Sequence, residues 1–550
     1  MDMGIKINEY QKNEYRKKGY WGDATLADYW QHSVLRAPEK TAVIDWQGTS
    51  YTYAELDEAA GRLASYLIDV GVEPGDIVSL QIPGWSEFTL IYIACLKVGA
   101  IVNPILPSLR EAELTYILTK CESKVLFIPS IYRKINYPSM IGNLVSNVRS
   151  LKEVVVVEKE VPVKEGTTLC NVLSKYTPLE KCRTCSADDV AVVLFTSGTE
   201  GFPKGVMLTH NNIIASEKAF AGRLNLTYLD TIFMPSPLAH ASGFHHGVTI
   251  SFLIGAKCVL QDKYNPENSL ELIERERCTC ANASTPLVYD ILYTLEKKKC
   301  DTSSLRFILC GGSPIPRHML KQSLASGFKL IGVYGSTESV PHSTVRLEDS
   351  CERIINTDGT AVPGVEIRVV DEFRNTVQAG VQGEEASRGP SVFVGYLKEP
   401  ELTALALDDD GWYYSGDLCT MDEDGYIRIN GRKKDIIIRG GENISSTEIE
   451  DILLNHPNVR DVAVVGMPDP RLGEKACAYV VVKFPEKGIT LDDVKTLFGQ
   501  TNVAKYKIPE RIEVIKCIPR NENCKIKKYI LREDIKTKLK EENQDNSFVI

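Results

Sequence analysis

Apolar residues follow two alternating spacings along this chain: the period of helices and the short continuous runs of buried strands. The stretch "SYTYAELDEAAGRLASYLIDVGVEPGD" (50–76) predicts a strand that enters an amphipathic helix, which stops at Gly71. Similar helical and strand patterns alternate to about residue 350. Such alternation predicts an α/β architecture with a largely parallel sheet.

Three of the apolar runs end in a loop of small residues. They are "VAVVLFTSGT" (190–199), "LRFILCGGSP" (305–314) and "LIGVYGSTES" (330–339). Loops at the carboxyl ends of parallel strands gather at one edge of a sheet, where ligands bind. We therefore expect these three loops to converge on one site.

The pattern changes to short strands separated by turns between residues 361 and 430. An Asn-Gly pair and the charged run "RKKD" then mark a boundary near Gly431. We predict a large domain over 1–430, whose β-rich part is 361–430, and a small domain over 431–550. The hinge between them is expected near 431–435.

The predicted small domain has the pattern of a compact α+β fold. Ser445 and Glu448 have the spacing of a capping box at the start of the helix "STEIEDILLNH". The runs "VRDVAVVGM" and "AYVVVKF" predict two strands after it.

Size and charge narrow the class of protein. A chain of 550 residues is too long for one ordinary core, and 43% hydrophobic with 25% charged residues is typical of a soluble globular protein. The formal net charge of -9 argues against binding to nucleic-acid backbone as the main task. A local cationic cluster can still bind small anions.

The fifteen cysteines are odd in number and widely spread, and the polar start "MDMGIKINEYQKNEYRKKGYWGD" lacks the apolar core of a secretory signal. We therefore expect reduced thiols and a cytoplasmic location. Two close pairs, Cys182/Cys185 and Cys278/Cys280, raise the possibility of zinc half-sites. The second pair has the wrong spacing and neither has a histidine nearby, so structural zinc is not expected.

One segment is apolar enough to raise the question of a membrane span. It is "TLIYIACLKVGAIVNPIL" (89–106), which contains Lys97 and an Asn-Pro pair. A buried core helix followed by a strand accounts better for this composition than a transmembrane helix does. We expect peripheral membrane contact at most.

The stretch "VLFTSGTEGFPKGVMLTH" (193–210) combines glycines, hydroxyl side chains and one lysine. It is not a Walker A loop, because Pro203 stands at the place of the second glycine and Gly205 follows Lys204. "GVMLTH" also predicts a second strand, whereas a P-loop opens into a helix. Backbone N–H groups, hydroxyls and Lys204 still suit phosphate. A solvated hairpin turn is the alternative.

The order of four motifs adds a resemblance. "FTSGTEGFPKGV", "YGSTES", "YYSGDL" and "GRKKDIIIRGGENIS" together resemble the adenylate-forming superfamily of acyl-CoA synthetases, luciferases and peptide-synthetase adenylation domains. The resemblance covers about residues 20 to 535. "WGDATLADYWQ", "CLKVGA", "GVYGSTES" and "EEASRGPSVFVGY" are most similar to bacterial short- to medium-chain fatty acyl-CoA synthetases, and cyclohexanecarboxylate-CoA ligases are similar too.

The resemblance implies ATP, Mg²⁺, CoA and a small carboxylic acid as ligands, and it assigns roles to residues. Those expected to bind ATP or AMP are Thr196, Ser197, Gly198, Thr199, Glu200, Gly201, Lys204, Gly311, Gly312, Ser313, Tyr334, Gly335, Thr337, Asp417 and Arg432. Those expected to act in the chemistry are Thr337, Glu338, His240 and Lys525, with Thr196 and Glu338 holding the metal. Gly311, Gly312, Ser313 and Tyr334 are expected to line the adenine, and Asp417 and Arg432 to bind the ribose. Lys434 falls on the hinge position, and Gly440 and Gly441 leave room for the pantetheine arm of CoA.

Simpler interpretations exist for several of these side chains. Glu338 can be a surface carboxylate at a helix start, and Asp417 can cap a turn. His240 can be a core histidine rather than a gate at the acyl pocket. "HH" at 245–246 can suggest a metal, but no carboxylate follows at ligand spacing, so an ordinary helix or loop position is favoured.

The expected reaction joins a short- or medium-chain fatty acid to AMP and then to CoA. The sequence departs from the family at the loop of Lys525, where Asn521 replaces a threonine and Cys524 replaces a glycine. If that glycine serves through a positive φ, cysteine costs about 1 kcal/mol of strain there. This leaves open an adenylate ligase that loads a carrier protein, and a weakened protein that only binds nucleotide or acyl-adenylate. A scaffold role leaves the four motifs unexplained.

Overall fold

The structure is a computed structural model that describes residues 3–142, 144–159, 166–196, 203–311, 315, 317–440, 442–501, 503–521 and 525–546. Internal contacts divide the chain into two units. The first consists of 1–367 with 387–414, and the second of 368–386 with 415–550. The functional boundary at Gly431 stays a prediction.

The first unit contains a nine-stranded sheet. Its strands, from one edge to the other, are Thr360–Ala361, Val340–Thr344, Lys329–Ser336, Phe307–Gly311, Cys280–Ser284, Thr231–Met234, Lys257–Leu260, Thr41–Asp45 and Ser50–Thr52. The interior neighbours are parallel, and antiparallel strands close both edges. This arrangement confirms the predicted α/β fold with a largely parallel sheet.

A seven-stranded sheet is the second layer of strands in this unit. Its order is Lys204–Thr209, Val190–Thr196, Ile101–Pro104, Ile77–Leu80, Val125–Pro129, Glu153–Val157 and Thr167–Thr168. Only the first pair is antiparallel. The fully buried, Val- and Ile-rich strands are those expected where helices cover both faces of a parallel sheet.

Helices connect the strands of the first unit. They are Glu9–Lys17, Leu26–Arg36, Tyr53–Asp69, Ser86–Val98, Glu111–Cys121, Tyr137–Ile141, Leu169–Lys175, His210–Arg223, Ala241–Gly243, the π-helix Phe244–Thr249, Ile250–Ile254, Pro266–Glu276, Thr285–Leu295, Arg317–Ala325, Cys351–Asn356 and Pro400–Ala406. A short hairpin pairs Ile131–Tyr132 with Ile135–Asn136. The predicted strand and helix near the start are present, since Thr52 caps the helix Tyr53–Asp69 with Glu55 completing the capping box.

The most apolar segment is a core helix, as predicted. All side chains of Ser86–Val98 are buried, and the strand Ile101–Pro104 follows. Lys97 is neutralised inside the protein, because its Nζ lies 2.7 Å from Oδ1 of Asp57. Among the described residues, no helix has the length and hydropathy required to cross a membrane.

The strands predicted between 361 and 430 form a four-stranded sheet of Glu366–Val370, Gly383–Arg388, Tyr413–Met421 and Ile427–Arg432. In the second unit, a further sheet has the order Glu442–Ile444, Ile437–Arg439, Gly473–Val482 and Val459–Asp469, with Arg511–Val514 parallel to Gly473–Val482. Alternate side chains of the strand Val459–Asp469 enter different clusters: Val464 packs with Ile449 and Val494, and Val465 packs with Ile535. The helices Ser446–Leu454 and Leu491–Gly499 therefore cover one face, and Lys528–Asn546 covers the other.

The predicted capping box at Ser445 is half correct. The Ser445 hydroxyl accepts the N–H of Glu448 at 3.3 Å and opens the helix. The Glu448 carboxylate instead accepts from Lys507 Nζ at 2.7 Å. An ion pair with Lys507 therefore takes the place of the hydrogen bond from the Ser445 N–H to the Glu448 carboxylate that would complete a capping box.

The described cysteines are free thiols that differ in exposure. Most are buried, Cys185 and Cys300 are half-buried, and Cys170, Cys182, Cys351 and Cys517 are exposed. The described residues contain no group of three or more His, Cys, Asp or Glu side chains arranged to hold a metal ion.

His210 is a buried histidine that the fold needs in its neutral form. Its Nδ1 accepts the N–H of Leu26 at 3.2 Å, and Nε2 lies 3.7 Å from Sγ of Cys185. Burial lowers the pKa of His210 from 6.5 to about 4. A proton on Nδ1 would abolish the bond from Leu26, so acid favours the unfolded chain.

We expect the free energy of unfolding to decrease at acidic pH because of His210. Because the folded pKa lies below the unfolded value, the stabilisation is complete above pH 6.5 and is lost as the pH falls through about 4. The shift corresponds to about 3 kcal/mol. Urea unfolding of the wild type and of His210→Asn, which keeps an acceptor but cannot titrate, should diverge by this amount on acidification. Parallel pH profiles would show that His210 is not the responsible group.

Candidate active site

The stretch 190–209 is a β-hairpin, which we call the 190–209 hairpin. Its strands Val190–Thr196 and Lys204–Thr209 are antiparallel, with Thr196 opposite Lys204 at the end where the chain connects the two strands. A strand rather than a helix follows Lys204, so this is not a P-loop, as the sequence predicts. The expected phosphate-binding residues Ser197, Gly198, Thr199, Glu200 and Gly201 lie outside the described residues.

A distant segment, 393–398, pairs with the second strand of this hairpin. The N–H of Leu397 donates to Gly205 O at 2.8 Å, and that of Met207 donates to Gly395 O at 3.0 Å. Gly205 is closely surrounded at this contact, because a Cβ there would lie 2.9 Å from Cγ1 of Val193 and 3.3 Å from Cβ of Leu397. The pairing places Tyr396 beside the hairpin, and Nζ of Lys204 lies 5.1 Å from the centre of its ring.

Thr337 and Glu338 lie in a tight turn between the strands Lys329–Ser336 and Val340–Thr344. The two strands come so close that a Cβ on Gly335 would lie 2.0 Å from the carbonyl oxygen of Val340. Val340 itself has a φ of 52°, which is strained for a β-branched residue. Strain of this kind concentrates at functional sites.

Glu338 is held at both its side chain and its backbone by the 393–398 segment. Its Oε1 accepts the hydroxyl of Tyr396 at 2.8 Å, and its carbonyl accepts the N–H of Phe393 at 2.7 Å. Burial raises the pKa of Tyr396, and the charge of Glu338 raises it further, so the phenol stays protonated as a donor. Glu338 is therefore not a surface carboxylate at a helix start: it follows a strand and has a fixed partner.

The predicted convergence of three loops at one sheet edge is only partly correct. The strands Phe307–Gly311 and Lys329–Ser336 are parallel neighbours, with Gly311 opposite Val333. The strand Val190–Thr196 belongs to the other sheet. What brings its hairpin to Glu338 is Tyr396, a residue whose role the sequence did not reveal. The only signal was its place in the quoted motif "EEASRGPSVFVGY".

The expected adenine-binding positions follow the two neighbouring strands. Gly311 ends its strand, and a Cβ there would lie 2.9 Å from Cγ1 of Val333. The ring of Tyr334 meets that of His342 edge to face at 4.7 Å. Gly312 and Ser313 lie outside the described residues.

His240, the expected gate residue, caps a short helical turn at Ala241–Gly243. Its Nδ1 lies 2.6 Å from Oγ of Ser242. The following histidines lie in a π-helix, as the helical interpretation of this pair expects. Nδ1 of His246 bonds to Oε2 of the buried Glu217 at 3.0 Å, while His245 is fully buried and burial lowers its pKa well below 6.5. Neutral His245 and paired His246 belong to the core rather than to a metal centre.

In the second unit, the two expected ribose-binding residues lie side by side. Asp417 and Arg432 are opposite each other on antiparallel strands, and Oδ1 of Asp417 lies 3.0 Å from Nε of Arg432. Asp417 is buried within the strand Tyr413–Met421, so the interpretation as a turn cap is wrong. Its carboxylate has a fixed cationic partner that orients it.

The expected hinge and CoA positions lie on short irregular elements of this unit. Lys434 lies in the 3₁₀ turn Lys433–Asp435, which Arg532 of the last helix holds through the Asp435 carboxylate. Gly440 has a φ of 61° and donates its N–H to Leu472 O at 2.7 Å. Gly441 lies outside the described residues.

Lys525 closes a turn that Asn521 organises. The N–H of Lys525 donates to Oδ1 of Asn521 at 2.9 Å, and the N–H of Asn521 donates to the carbonyl of Lys525 at 2.9 Å. Asn521 therefore caps the loop in place of the family's threonine. Cys524 lies outside the described residues.

The donor set near Glu338 suits a magnesium–nucleotide complex. Hard oxygen ligands bind Mg²⁺, which keeps several waters and combines one or two carboxylates with substrate phosphates. One oxygen of Glu338 is committed to Tyr396. Within the described residues its Oε2 has no partner and is available to a cation.

Replacing Gly335 by alanine should displace the turn that carries Glu338. The added Cβ collides with backbone rather than with a flexible side chain, and such overpacking costs about 1–3 kcal/mol. Gly222→Ala is the matched control, because a Cβ there meets nothing within 4 Å. Thermal unfolding should show a lower midpoint for Gly335→Ala only. Equal midpoints would contradict the close approach of the two strands.

Comparison with known proteins agrees with this geometry. Residues 30–397 match the AMP-binding enzyme family, and residues 448–525 match the AMP-binding enzyme C-terminal domain. The chain is 53% identical to the medium-chain fatty-acid–CoA ligase of Escherichia coli, over 98% of this chain and 95% of that protein. It is 32% identical to the 2,3-dihydroxybenzoate-AMP ligase of Bacillus subtilis, over 96% of each.

A solved structure has the same fold. The crystal structure of ATP-bound MatB from Rhodopseudomonas palustris superimposes with a TM-score of 0.84 at 28% identity, covering 93% of this chain and 99% of that one. The fold is thus shared with this structure, and the family model matches well over half of the sequence. The chain belongs to the AMP-binding enzyme family.

Proposed function

We propose that this enzyme is an AMP-forming acid–CoA ligase acting on short- or medium-chain fatty acids. The observation that carries the proposal is the arrangement around Tyr396, which contacts both the carboxylate of Glu338 and the cationic Lys204 at the connected end of the 190–209 hairpin. A nucleotide triphosphate with its divalent cation needs both charges. The 53% identity to a medium-chain fatty-acid–CoA ligase supports the same acid class.

The first step must overcome the repulsion between two anions. A fatty acid is already ionised at neutral pH, because carboxyl pKa values lie near ~4–5, so the attack needs no general base. The carboxylate oxygen forms a bond to the α-phosphorus of ATP while the bond to the β-phosphate oxygen breaks, giving acyl-AMP and pyrophosphate. Lys204 and Thr196 at the hairpin end bind the phosphates, and Thr337 contacts the α-phosphate. A bound Mg²⁺ supplies positive charge that stabilises the leaving pyrophosphate.

Three further groups of residues are proposed to contact the adenine, the ribose and the reacting phosphate of ATP. Gly311, Gly312, Ser313 and Tyr334 line the adenine, and Gly335 belongs to the same nucleotide-binding set. The Asp417 carboxylate accepts hydrogen bonds from the ribose hydroxyls, and Arg432 keeps that carboxylate in place. Lys525 approaches from its turn and stabilises the negative charge that develops during adenylation.

The second step transfers the acyl group to sulfur. The CoA thiol attacks the acyl carbon, the bond to the phosphate oxygen of AMP breaks, and the thiol proton goes to solvent. This step needs different protein groups around the acyl-AMP than the first step does. A hinge at Lys434 provides them, because rotation there turns a different face of the small domain toward the acyl-AMP. Gly440 and Gly441 leave room for the pantetheine arm.

The acid pocket is proposed to begin at His240. An apolar pocket distinguishes neighbouring chain lengths by only ~1–3 kcal/mol per methylene, so several acids should react. Purified enzyme given ATP, Mg²⁺, CoA and a panel of C4–C12 acids should form AMP and acyl-CoA in equal amounts. Labelled pyrophosphate that fails to exchange into ATP with every acid would overturn the proposal.

A second candidate is an adenylate ligase that passes the acyl group to a carrier protein. The 32% identity to a 2,3-dihydroxybenzoate-AMP ligase supports this second candidate. The same panel separates the two, since this candidate exchanges pyrophosphate but forms no thioester with free CoA. A protein that binds ATP without any exchange would instead be a nucleotide- or acyl-adenylate-binding protein.

Glu338→Gln should lower the rate of pyrophosphate exchange by about 10²–10³, the loss typical of one preorganised electrostatic contact. The amide can still accept from Tyr396 but has no charge for the cation. Glu217→Gln is a matched control, because this carboxylate is buried against His246 instead. Exchange that survives Glu338→Gln at the wild-type rate would remove Glu338 from the metal site.

Cys524→Gly should raise the adenylation rate several-fold and leave thioester formation from added acyl-AMP unchanged. The reason is backbone freedom: glycine restores the family residue of the loop before Lys525. Single-turnover measurement of each half-reaction separates the two rates. Equal acceleration of both would point to a general change in stability.

A further inference from the structure

We propose that Tyr396 is a positioning residue that keeps Lys204 and Glu338 apart, so that both charges stay available to the metal–nucleotide complex. The inference rests on the proposed function, since it concerns the same site. It assigns a role to a side chain that contacts both the phosphate-binding lysine and the metal-binding carboxylate. Such a residue acts through its neighbours and not on the reacting atoms.

The two contacts of Tyr396 use different parts of the side chain. The ring presents its face to the ammonium of Lys204, with 5.1 Å between Nζ and the ring centre. The hydroxyl donates to Oε1 of Glu338 at 2.8 Å. A cation on the negative face of a ring and an anion at its hydroxyl are both favourable, so a single side chain accommodates opposite charges on its two sides.

Direct pairing of the two charges is the state that Tyr396 prevents. Within the described part of the chain, Lys204 Nζ has no hydrogen bond and no carboxylate within 4.0 Å. Glu338 likewise has Tyr396 as its described side-chain partner. A Lys204–Glu338 ion pair would neutralise both groups. Glu338 would then compete with the phosphates for Lys204, and Lys204 would compete with the cation for Glu338.

The backbone around Tyr396 is held on every side, which fixes the ring between its two neighbours. Its own N–H donates to Oγ1 of Thr403 at 2.9 Å. Val394, two residues before it, accepts the N–H of Lys6 at 2.7 Å, and Lys398, two residues after it, donates to Met3 O at 3.1 Å. The N-terminal segment thus clamps both flanks of the tyrosine.

A purely structural tyrosine would give a different result from a positioning one. If the hydroxyl only satisfies a buried carboxylate, removing it lowers the unfolding temperature and leaves metal affinity alone. If it keeps Glu338 away from Lys204, removing it weakens metal binding. Tyr396→Phe makes this distinction, because phenylalanine keeps the ring face for Lys204 and loses only the hydroxyl.

The test measures binding of Mn²⁺, as a paramagnetic substitute for Mg²⁺, to the enzyme with an ATP analogue whose α,β-bridge is a methylene. Loss of an outer partner of a metal ligand typically weakens metal affinity by about 10–100-fold, and we expect a loss in this range for Tyr396→Phe. Tyr53→Phe is the matched control: it removes a buried hydroxyl that donates to Ala256 O at 2.7 Å. Its Mn²⁺ affinity should equal that of the wild type.

A double-mutant cycle tests the mechanism itself. In a Lys204→Gln background there is no ammonium to capture Glu338, so Tyr396→Phe should then cost much less Mn²⁺ affinity than it does alone. Equal losses in the two backgrounds would overturn the separation of charges. Unchanged affinity in folded Tyr396→Phe would overturn the whole inference.

Two further arms keep the outcomes distinct. If the wild type binds neither analogue nor Mn²⁺, the proposed function fails, whereas wild-type binding with an unaffected Tyr396→Phe variant refutes only the role of Tyr396. Should Tyr396→Phe not fold, 3,5-difluorotyrosine at position 396 keeps the shape and acidifies the hydroxyl. The inference expects altered Mn²⁺ affinity in that protein, and identical affinity would contradict it.

Discussion

Mutual repulsion between a carboxylate and a polyphosphate is the constraint around which the proposed site is organised. An ionised acid is a ready nucleophile, and what it lacks is a way to approach a polyanion. The protein answers with opposite charges held at fixed places: Lys204 at the connected end of a hairpin, and Glu338 in a strained turn where we propose that a cation binds. Tyr396 holds both in place without letting them neutralise each other.

The sheets explain why these groups need a third element to meet. The 190–209 hairpin lies at the edge of the seven-stranded sheet, and the turn with Glu338 follows a strand of the nine-stranded one. Separate sheets do not share an edge, so their loops converge only if another segment contacts both. The 393–398 segment does so through backbone bonds to Gly205 and to Glu338.

Local patterns made most of the fold predictable. Apolar runs predicted the strands, an amphipathic pattern predicted the helix Tyr53–Asp69, and a Pro-Lys-Gly order excluded the P-loop at the hairpin. Tyr396 could not be found this way, because its partners are 58 and 192 residues away in the sequence. Asp417 and Arg432 were assigned by resemblance, but their ion pair is a property of strand register that no single motif contains.

The same limit applies to substitutions within a motif. Asn521 departs from the family's threonine, and the sequence alone does not show what the asparagine does. The structure shows its side chain accepting the N–H of Lys525, so the asparagine caps the turn that leads to this lysine. Glu448 is the opposite case: it fits the motif of a capping box, yet its carboxylate bonds to Lys507.

The distribution of accessible thiols gives the enzyme its own attachment points for optical reporters. Cys170, Cys182 and Cys351 are exposed on the first unit, and among the described residues Cys517 is the exposed cysteine of the second. The buried thiols are sheltered from alkylating dyes by the surrounding core. A donor fluorophore on Cys517 and an acceptor on Cys351, with Cys170, Cys182, Cys185 and Cys300 replaced by serine, would therefore detect the proposed rotation at the hinge in real time by energy transfer.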